Sequence, residues 1–468
     1  MWVRRLSPLP KLAPVFVRRY HRSPVPLLDD LAERGFIQDV SRRDALAIAL
    51  SSKKQTVYVG VDPTAKALHI GHLVPLLCLL HFQFHGHRIL PLIGGATGRV
   101  GDPSGRLVER QLAHASEVEA NAVNLTSSIQ RFFQNALLYA ASRSESQDGV
   151  FQEPHILNNL DWHGSTGLLQ FLQTVGVHAR VGTMLNRESV RSRLSSQQGL
   201  SFTEFTYQLL QAYDFYHLYK HFGCTIQIGG SDQWGNIVAG LELIGKFQPD
   251  FSSNDSFGIT TPLLTTSTGE KFGKSAGNAV WLDPQLTSVF DFYQYFLKVT
   301  DADVEKYLKL FTFMPLSEIS DVMQQHREFP ENRIAQHHLA AEVTEMVHSK
   351  SGVARANLMT TLLFGSDYSE LKAEDVTTSL GNDPRLVRVA KSDILSMPIP
   401  KLAAKYGLVA SNSASKMLVA SRGLYLNNRS VTDVQYKASP EDLLDGNFLI
   451  IRAGKDKMMV LVVSDEDI

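Results

Sequence analysis

The sequence predicts an α/β protein: a parallel sheet with covering helices, then an α-helical domain, then a small α+β domain. Three observations carry this. From residue 29 to about 265, short β-rich runs alternate with helical patterns, the order that a parallel sheet with crossover helices requires. Beyond about residue 288 the apolar residues fall into helical stripes with polar faces. From about Met397 the texture changes to short segments and turns. A length of 468 residues suits about three domains, with limits expected at 29–287, 288–390 and 391–468.

The elements follow in order. Runs 56–61, 88–93, 155–157 and 225–228 read as strands, and the segments starting near Gly71, Leu112, Thr166, Phe202 and Trp234 read as helices. Ser201 and Glu204 form a capping-box pattern that fixes where the helix after Ser201 begins. The Ser-rich stretch 141–149 reads as a surface loop. Segments 288–298, 303–311, 316–327 and 331–348 read as amphipathic helices, and Leu424 to Arg429 as a strand entering a turn.

Composition narrows the function classes. The chain is 44% hydrophobic and 20% charged, with no apolar run of membrane-spanning length. Its 46 Lys+Arg balance 47 Asp+Glu, so any nucleic-acid affinity must come from local patches. Cys78 and Cys224 sit in apolar segments and read as reduced core thiols, which excludes a disulfide framework and a cysteine zinc site. His81, His85 and His87 read as solvated or packing histidines, and no metal site is expected. Residues 1–28 carry Arg4, Arg5, Lys11, Arg18, Arg19 and Arg22 and no acid, the composition of a mitochondrial presequence; the bland alternative is a disordered basic tail.

Two short motifs describe a site for ATP. His69-Ile70-Gly71-His72 lies where a strand hands over to a helix N-terminus, a geometry that binds phosphate and nucleotide. Gly71 lets a planar ring approach the backbone, and the imidazoles donate hydrogen bonds without fixed charge. Lys271-Phe272-Gly273-Lys274-Ser275 places two cations on a Gly-rich loop, suited to charge that moves during a reaction. A P-loop reading of this loop fails, because the glycine it requires five residues before Gly273 is Thr268. The run Gly94-Gly95-Ala96-Thr97-Gly98, followed by Gly101-Asp102-Pro103-Ser104-Gly105, is neither a dinucleotide fingerprint nor a P-loop. In the helix after Ser201, Tyr207, Gln211 and Asp214 fall at i, i+4 and i+7 and share one face. Amid apolar neighbours these groups need a polar partner, which a small zwitterion carrying a phenol would supply; an internal hydrogen-bond network is the alternative.

Both ATP motifs resemble the signatures of class I aminoacyl-tRNA synthetases. Tyr58 to Thr64, the glycine run, and Gln227-Ile228-Gly229-Gly230-Ser231-Asp232-Gln233-Trp234 resemble, more narrowly, the tyrosyl-tRNA synthetases. The resemblance implies a Rossmann-like catalytic domain, an α-helical anticodon-side domain and a C-terminal S4-like RNA-binding domain. It implies ATP-dependent activation of L-tyrosine to tyrosyl-adenylate, with Mg²⁺ and no tightly bound cofactor, and transfer to the 3′ end of tRNA(Tyr). It also implies a homodimer, and with the presequence a place in the mitochondrial matrix.

By the same resemblance Tyr58 and Asp214 bracket the substrate hydroxyl, while Tyr207, Gln211 and Asp102 hold its α-ammonium. Asp62 and Gln233 join them at the amino acid. Gly60, Gly71, Gly229 and Asp232 adjoin the nucleotide. Thr64, His69 and His72 supply hydrogen bonds to the phosphates, Lys271 and Lys274 supply cations, and Arg106 and Arg110 act as further clamps. The alternatives are a tryptophanyl-type enzyme, against which two hydroxyl-directed groups argue, and a synthetase-derived RNA-binding scaffold for intron splicing. Between 397 and 460 nine Lys+Arg (401, 405, 416, 422, 429, 437, 452, 455, 457) face five Asp+Glu (433, 441, 442, 445, 456), a locally basic segment, and 415–429 resembles an S4-type module.

Overall fold

The computed structural model describes residues 25–464 apart from 106–107, 109–112, 143–152, 196–198, 248–254, 270–273, 276–277, 366–367, 369–370, 382 and 455–456. At 141, 274, 275, 278 and 364 only the backbone is described. The presequence reading, Arg106, Arg110 and Lys271 thus lie outside the described residues, as does the side chain of Lys274. The chain forms two compact units that meet at Ser349–Lys350.

The first unit is built on a six-stranded sheet. Its strands are β1 (Asp39–Val40), β2 (Thr56–Val61), β3 (Arg88–Ile93), β4 (Leu157–Asn158), β5 (Cys224–Gly230) and β6 (Phe257–Thr261), in the order β1-β6-β5-β2-β3-β4. All neighbours are parallel except the edge pair β1–β6. Burial on both faces makes β2 and β3 nearly continuous apolar runs, the mark of a sheet covered by helices. From β2 the chain winds outward to β3 and β4, then crosses back to β5 on the other side of β2. The strand order therefore reverses between β2 and β5. Such a reversal leaves a crevice at the carboxyl ends of the two strands, the usual place for a ligand in open α/β sheets.

Helices Ile70–Phe84, Ala115–Ala141, Phe202–Phe222 and Trp234–Phe247 pack around this sheet. Ser201 caps the third by accepting from the Glu204 amide at 3.3 Å. The expected capping box is only half formed, because the buried Glu204 carboxylate accepts from Arg193 Nη2 at 2.6 Å inside the core. The single helix expected from Thr166 is instead Leu168–Thr174, Val181–Leu185 and Glu188–Leu194. Gly176 lies at the first break, opening the 3-10 turn Gly176–His178. The strand expected at 155–157 is the two-residue β4, one position further on.

Helices Val289–Leu297, Asp301–Phe311 and Leu316–Glu328 also belong to the first unit. The next helical run, 334–364, is broken by Ser349, whose φ of 69° is left-handed. That break is the division between the units, whereas the sequence places domain limits at 287 and 390. The second unit carries the sheet β11-β10-β12-β13-β9, with β9 (Leu386–Ala390), β10 (Leu424–Leu426), β11 (Arg429–Ser430), β12 (Phe448–Ala453) and β13 (Lys457–Ser464). The short β7 (Lys274–Ser275) and β8 (Asn278–Ala279) pair separately in the first unit. β9 lies parallel to β13, so residues ahead of 391 complete this sheet. Asn427 and Asn428, both at positive φ, make the tight β10–β11 turn. No helix of the described residues is long and apolar enough to cross a membrane.

Candidate active site

The crevice at the switch point is a cavity of about 580 Å³. It is lined by Tyr58, Gly60, Asp62, Thr64, His69, Gly71, His72, Asp102, Tyr207, Gln211, Asp214, Gly229, Asp232 and Gln233, along with residues the sequence did not single out. Every described candidate residue therefore faces one space, although the candidates are spread along the chain from Tyr58 to Gln233. Gly60, where a Cβ would meet nothing within 4 Å, leaves room against the wall.

At one end stands Asp214, 2% exposed. Its Oδ1 accepts from Trp162 Nε1 and His163 Nε2, both at 2.8 Å, and its Oδ2 accepts from Asn159 Nδ2 at 2.9 Å. A carboxylate offers about four acceptor positions, so one on Oδ2 is left. The nearby Tyr58 hydroxyl is buried without a hydrogen-bond partner. Burial first, and then the charge of Asp214, push the Tyr58 phenol well above its ordinary pKa, so it stays a donor. Gln227, in register beside Tyr58 on β5, also lines the cavity and buries an unpartnered Oε1. Buried polar atoms without partners are costly, and here they gather in one place.

In the middle the groups are already paired. Tyr207 Oη donates to Asp62 Oδ2 at 2.7 Å, and Thr97 Oγ1 donates to Asp62 Oδ1 at 2.6 Å. Burial, followed by the Asp62 and Asp102 carboxylates, holds the Tyr207 phenol well above its ordinary pKa. Gln233 Nε2 donates to Asp102 Oδ2 at 2.6 Å, and the Ser104 amide donates to Oδ1 at 2.9 Å. Gly94 is required here, because a Cβ would lie 1.9 Å from Asp62 Oδ1. Among the described lining residues there are four aspartates and no lysine or arginine, an environment that attracts an ammonium group.

The third part is the helix start. His69 Nδ1 accepts from the Gly71 amide and His72 Nδ1 from the His69 amide, both at 3.1 Å. Burial, with His69 as the next cause, lowers His72 to a pKa of about 3, so it is neutral and its proton sits on Nε2. The two rings lie against each other tilted by 32°, with centroids 3.9 Å apart. The chain leaving the lysine loop returns to this motif: Ile70 N donates to Val280 O at 3.0 Å, Leu282 N donates to Leu68 O at 2.8 Å, and Trp281 meets the His69 ring edge-on. The base of the loop is therefore stitched to the histidine motif, although the two lie about two hundred positions apart in the sequence.

The sequence reading quoted Thr97 and Gln227 within motifs without giving either a role, and missed Asn159, Trp162, His163 and Trp281. Gln227 carried a signal, a lone polar residue inside an apolar strand. The trio 159–163 carried none, since its role depends on where β4 pairs.

Comparison with known proteins fits this geometry. Residues 50–365 match the family of class I tRNA synthetases (W and Y), and residues 387–461 match the tyrosine–tRNA ligase SYY-like C-terminal domain. Fold and cavity together define a class I aminoacyl-tRNA synthetase. The mitochondrial tyrosine–tRNA ligase of Saccharomyces cerevisiae is 42% identical over 93% of this chain and 88% of its own length. The tyrosine–tRNA ligase of Roseiflexus castenholzii is 40% identical over 92% and 97%. The crystal structure of a C-terminally truncated mitochondrial tyrosyl-tRNA synthetase from Aspergillus nidulans superposes with a TM-score of 0.67 at 37% identity, covering 72% of this chain and 94% of that one. The chain belongs to the tyrosine–tRNA ligase family.

Proposed function

We propose that the protein activates L-tyrosine with ATP, as its Mg²⁺ complex, and transfers it to tRNA(Tyr) in the mitochondrial matrix. The observation that carries the substrate is the pairing of an unpartnered, protonated Tyr58 hydroxyl with the one remaining acceptor position of Asp214. A phenol hydroxyl donates to Asp214 and accepts from Tyr58, completing both. Phenylalanine leaves both unsatisfied, and tyrosyl enzymes are the standing example of rejection on that ground. An indole has no hydroxyl to offer.

The acidic middle of the cavity then receives the α-ammonium through Tyr207, Gln211 and Asp102, with Asp62 holding Tyr207. The tyrosine carboxylate attacks the α-phosphate in line and pyrophosphate leaves, so the protein's work is positioning and charge neutralisation. The neutral imidazoles of His69 and His72 and the Thr64 hydroxyl donate to phosphate oxygens. Since the described lining has no cation, that charge falls to Lys271, Lys274, Arg106 and Arg110. Asp232 and Gln233 face the ribose and carboxylate side.

The helices after 288 serve the anticodon side, and the locally basic segment 397–460 of the second unit binds tRNA in the manner of an S4-like module. Support for a homodimer comes from Leu168, Leu169, Val177, Val181 and Phe202, large apolar side chains that are all exposed on one stretch of the first unit. ATP–pyrophosphate exchange across the twenty amino acids tests the assignment: tyrosine alone supports rapid exchange, and a preference for tryptophan overturns it.

A further inference from the structure

The Asp214 carboxylate is held by three N–H donors, none of which has a part in the family pattern read from the sequence. Asn159 and Trp162 supply two. The third is His163, whose Nε2 lies 2.8 Å from Asp214 Oδ1 and whose side chain is 7% exposed. Oδ1 already accepts the indole N–H of Trp162, so His163 Nε2 carries the hydrogen and donates.

The geometry that results is directional. Two donors fill Oδ1, while the Asn159 amide occupies one side of Oδ2 and is itself fixed, accepting from the Ala96 amide at 2.7 Å and also donating to Thr97 at 3.0 Å. Aspartate χ2 is a soft torsion with no sharp minimum. Only hydrogen bonds determine how the carboxylate is turned. His163 is in turn braced by the Tyr213 ring, edge-on at 5.6 Å. Its neighbour Trp162 lies flat on His217 at 4.4 Å. The Asp214 carboxylate, His163, His217 and His221 are the titratable groups gathered behind this end of the cavity, with the Tyr213 and Tyr58 phenols beside them.

We propose that His163 is a positioning residue for amino-acid selectivity: its N–H locks the rotation of the Asp214 carboxylate so that the remaining Oδ2 acceptor position faces the substrate's phenol hydroxyl. The inference rests on the reading of this cavity as a tyrosine site. A residue that merely filled space would serve as well if it were apolar. A donor is what the position uses, since loss of His163 leaves Oδ1 held by Trp162 alone.

The test is steady-state ATP–pyrophosphate exchange with tyrosine and with phenylalanine on the full chain. His163→Leu keeps the bulk and removes the donor. It raises KM for tyrosine roughly tenfold, the scale of one hydrogen bond to a charged group, and leaves kcat and KM for ATP in place. Phenylalanine, which has no hydroxyl, is unaffected, so the ratio of kcat/KM for the two amino acids falls by the same roughly tenfold factor. His163→Gln retains an N–H and restores most of the ratio. Because both amino acids are compared on one preparation, the ratio is blind to any fraction of misfolded protein. An unchanged ratio in His163→Leu overturns the proposal, as does an equal loss in His163→Gln or a parallel rise in KM for ATP. If the unaltered chain shows no tyrosine-dependent exchange, the tyrosine reading itself falls before any variant is made.

Discussion

The two units of this chain bury opposite things. Residues up to 349 bring polar groups inside, among them Asp102, Asp214, Tyr58, Tyr207, Gln227 and the Arg193–Glu204 pair. In the second unit the core is Val389, Ile394, Ile399, Leu402, Leu424, Leu449, Ile451, Leu461 and their neighbours. Its buried polar side chains among the described residues are few: Ser415, Tyr368, whose hydroxyl donates to Leu362 O at 2.9 Å, and the Asp383 carboxylate, paired with Arg385. All 16 histidines of the sequence lie at or before His348. Buried polar groups cost stability unless they are satisfied, so the first unit is shaped around a ligand. The second is shaped by packing alone and offers its charge at the surface.

If the first unit does the chemistry, the largest single effect falls on the lysine loop. Lys274→Ala is expected to lower the rate of tyrosine activation by about 10² to 10³, the usual scale for losing one group that stabilises transition-state charge. Tyrosine affinity without ATP stays the same. Stopped-flow measurement of adenylate formation separates the two, and an equal loss of tyrosine binding would make the loop structural.

A smaller effect belongs to the hydroxyl end. Tyr58→Phe removes one neutral hydrogen bond, worth about 0.5 to 1.5 kcal/mol, and narrows discrimination against phenylalanine by the corresponding factor. Selectivity that does not move would take Tyr58 out of recognition.

The histidine asymmetry sharpens the comparison through pH. His72 is lowered to a pKa of about 3 by burial and then His69, and His348 to about 4 by burial and then Arg131, against an ordinary value of 6.5. The unfolded chain therefore binds more protons than the folded one between about pH 6.5 and 4, and stability falls as pH drops through that window. In the second unit Asp383, held low by Arg385 against the cost of its burial, contributes stability that is lost only below the ordinary carboxylate value of 3.8. Mild acid is thus expected to loosen the first unit alone. Trp162, Trp234 and Trp281 all lie there, so their emission should shift while the amide exchange of β12 and β13 is retained. Simultaneous loss of both signals would contradict the asymmetry.

How much of this was legible followed the same physics. Strands 56–61 and 88–93 were plain because a doubly covered strand must be continuously apolar. β6 was missed: Phe257-Gly258-Ile259-Thr260-Thr261 is short and carries a glycine, required because a Cβ at 258 would meet the Ile237 side chain at 2.3 Å. Type and spacing singled out His69 to His72, the lysine loop and the Tyr207, Gln211 and Asp214 face, and the remaining site residues came from the family resemblance. Their supports were not legible, since Asn159 and His163 reach Asp214 only through the pairing of β4 with β3. The division between the units falls at a single left-handed serine, Ser349, directly after the helix read as 331–348, an end that the sequence did not mark as a domain limit.

The most direct test of the division of labour is to end the chain at Ser349, the boundary between the compact units, and to measure ATP–pyrophosphate exchange and tRNA charging on the same preparation. The account predicts tyrosine-dependent exchange close to that of the intact chain and a collapse of charging. For the intact chain, tRNA affinity should fall with salt at a log–log slope of roughly 0.7 to 0.9 per neutralised phosphate. A truncated chain that charges tRNA at the full rate, or one that loses exchange along with charging, would contradict it.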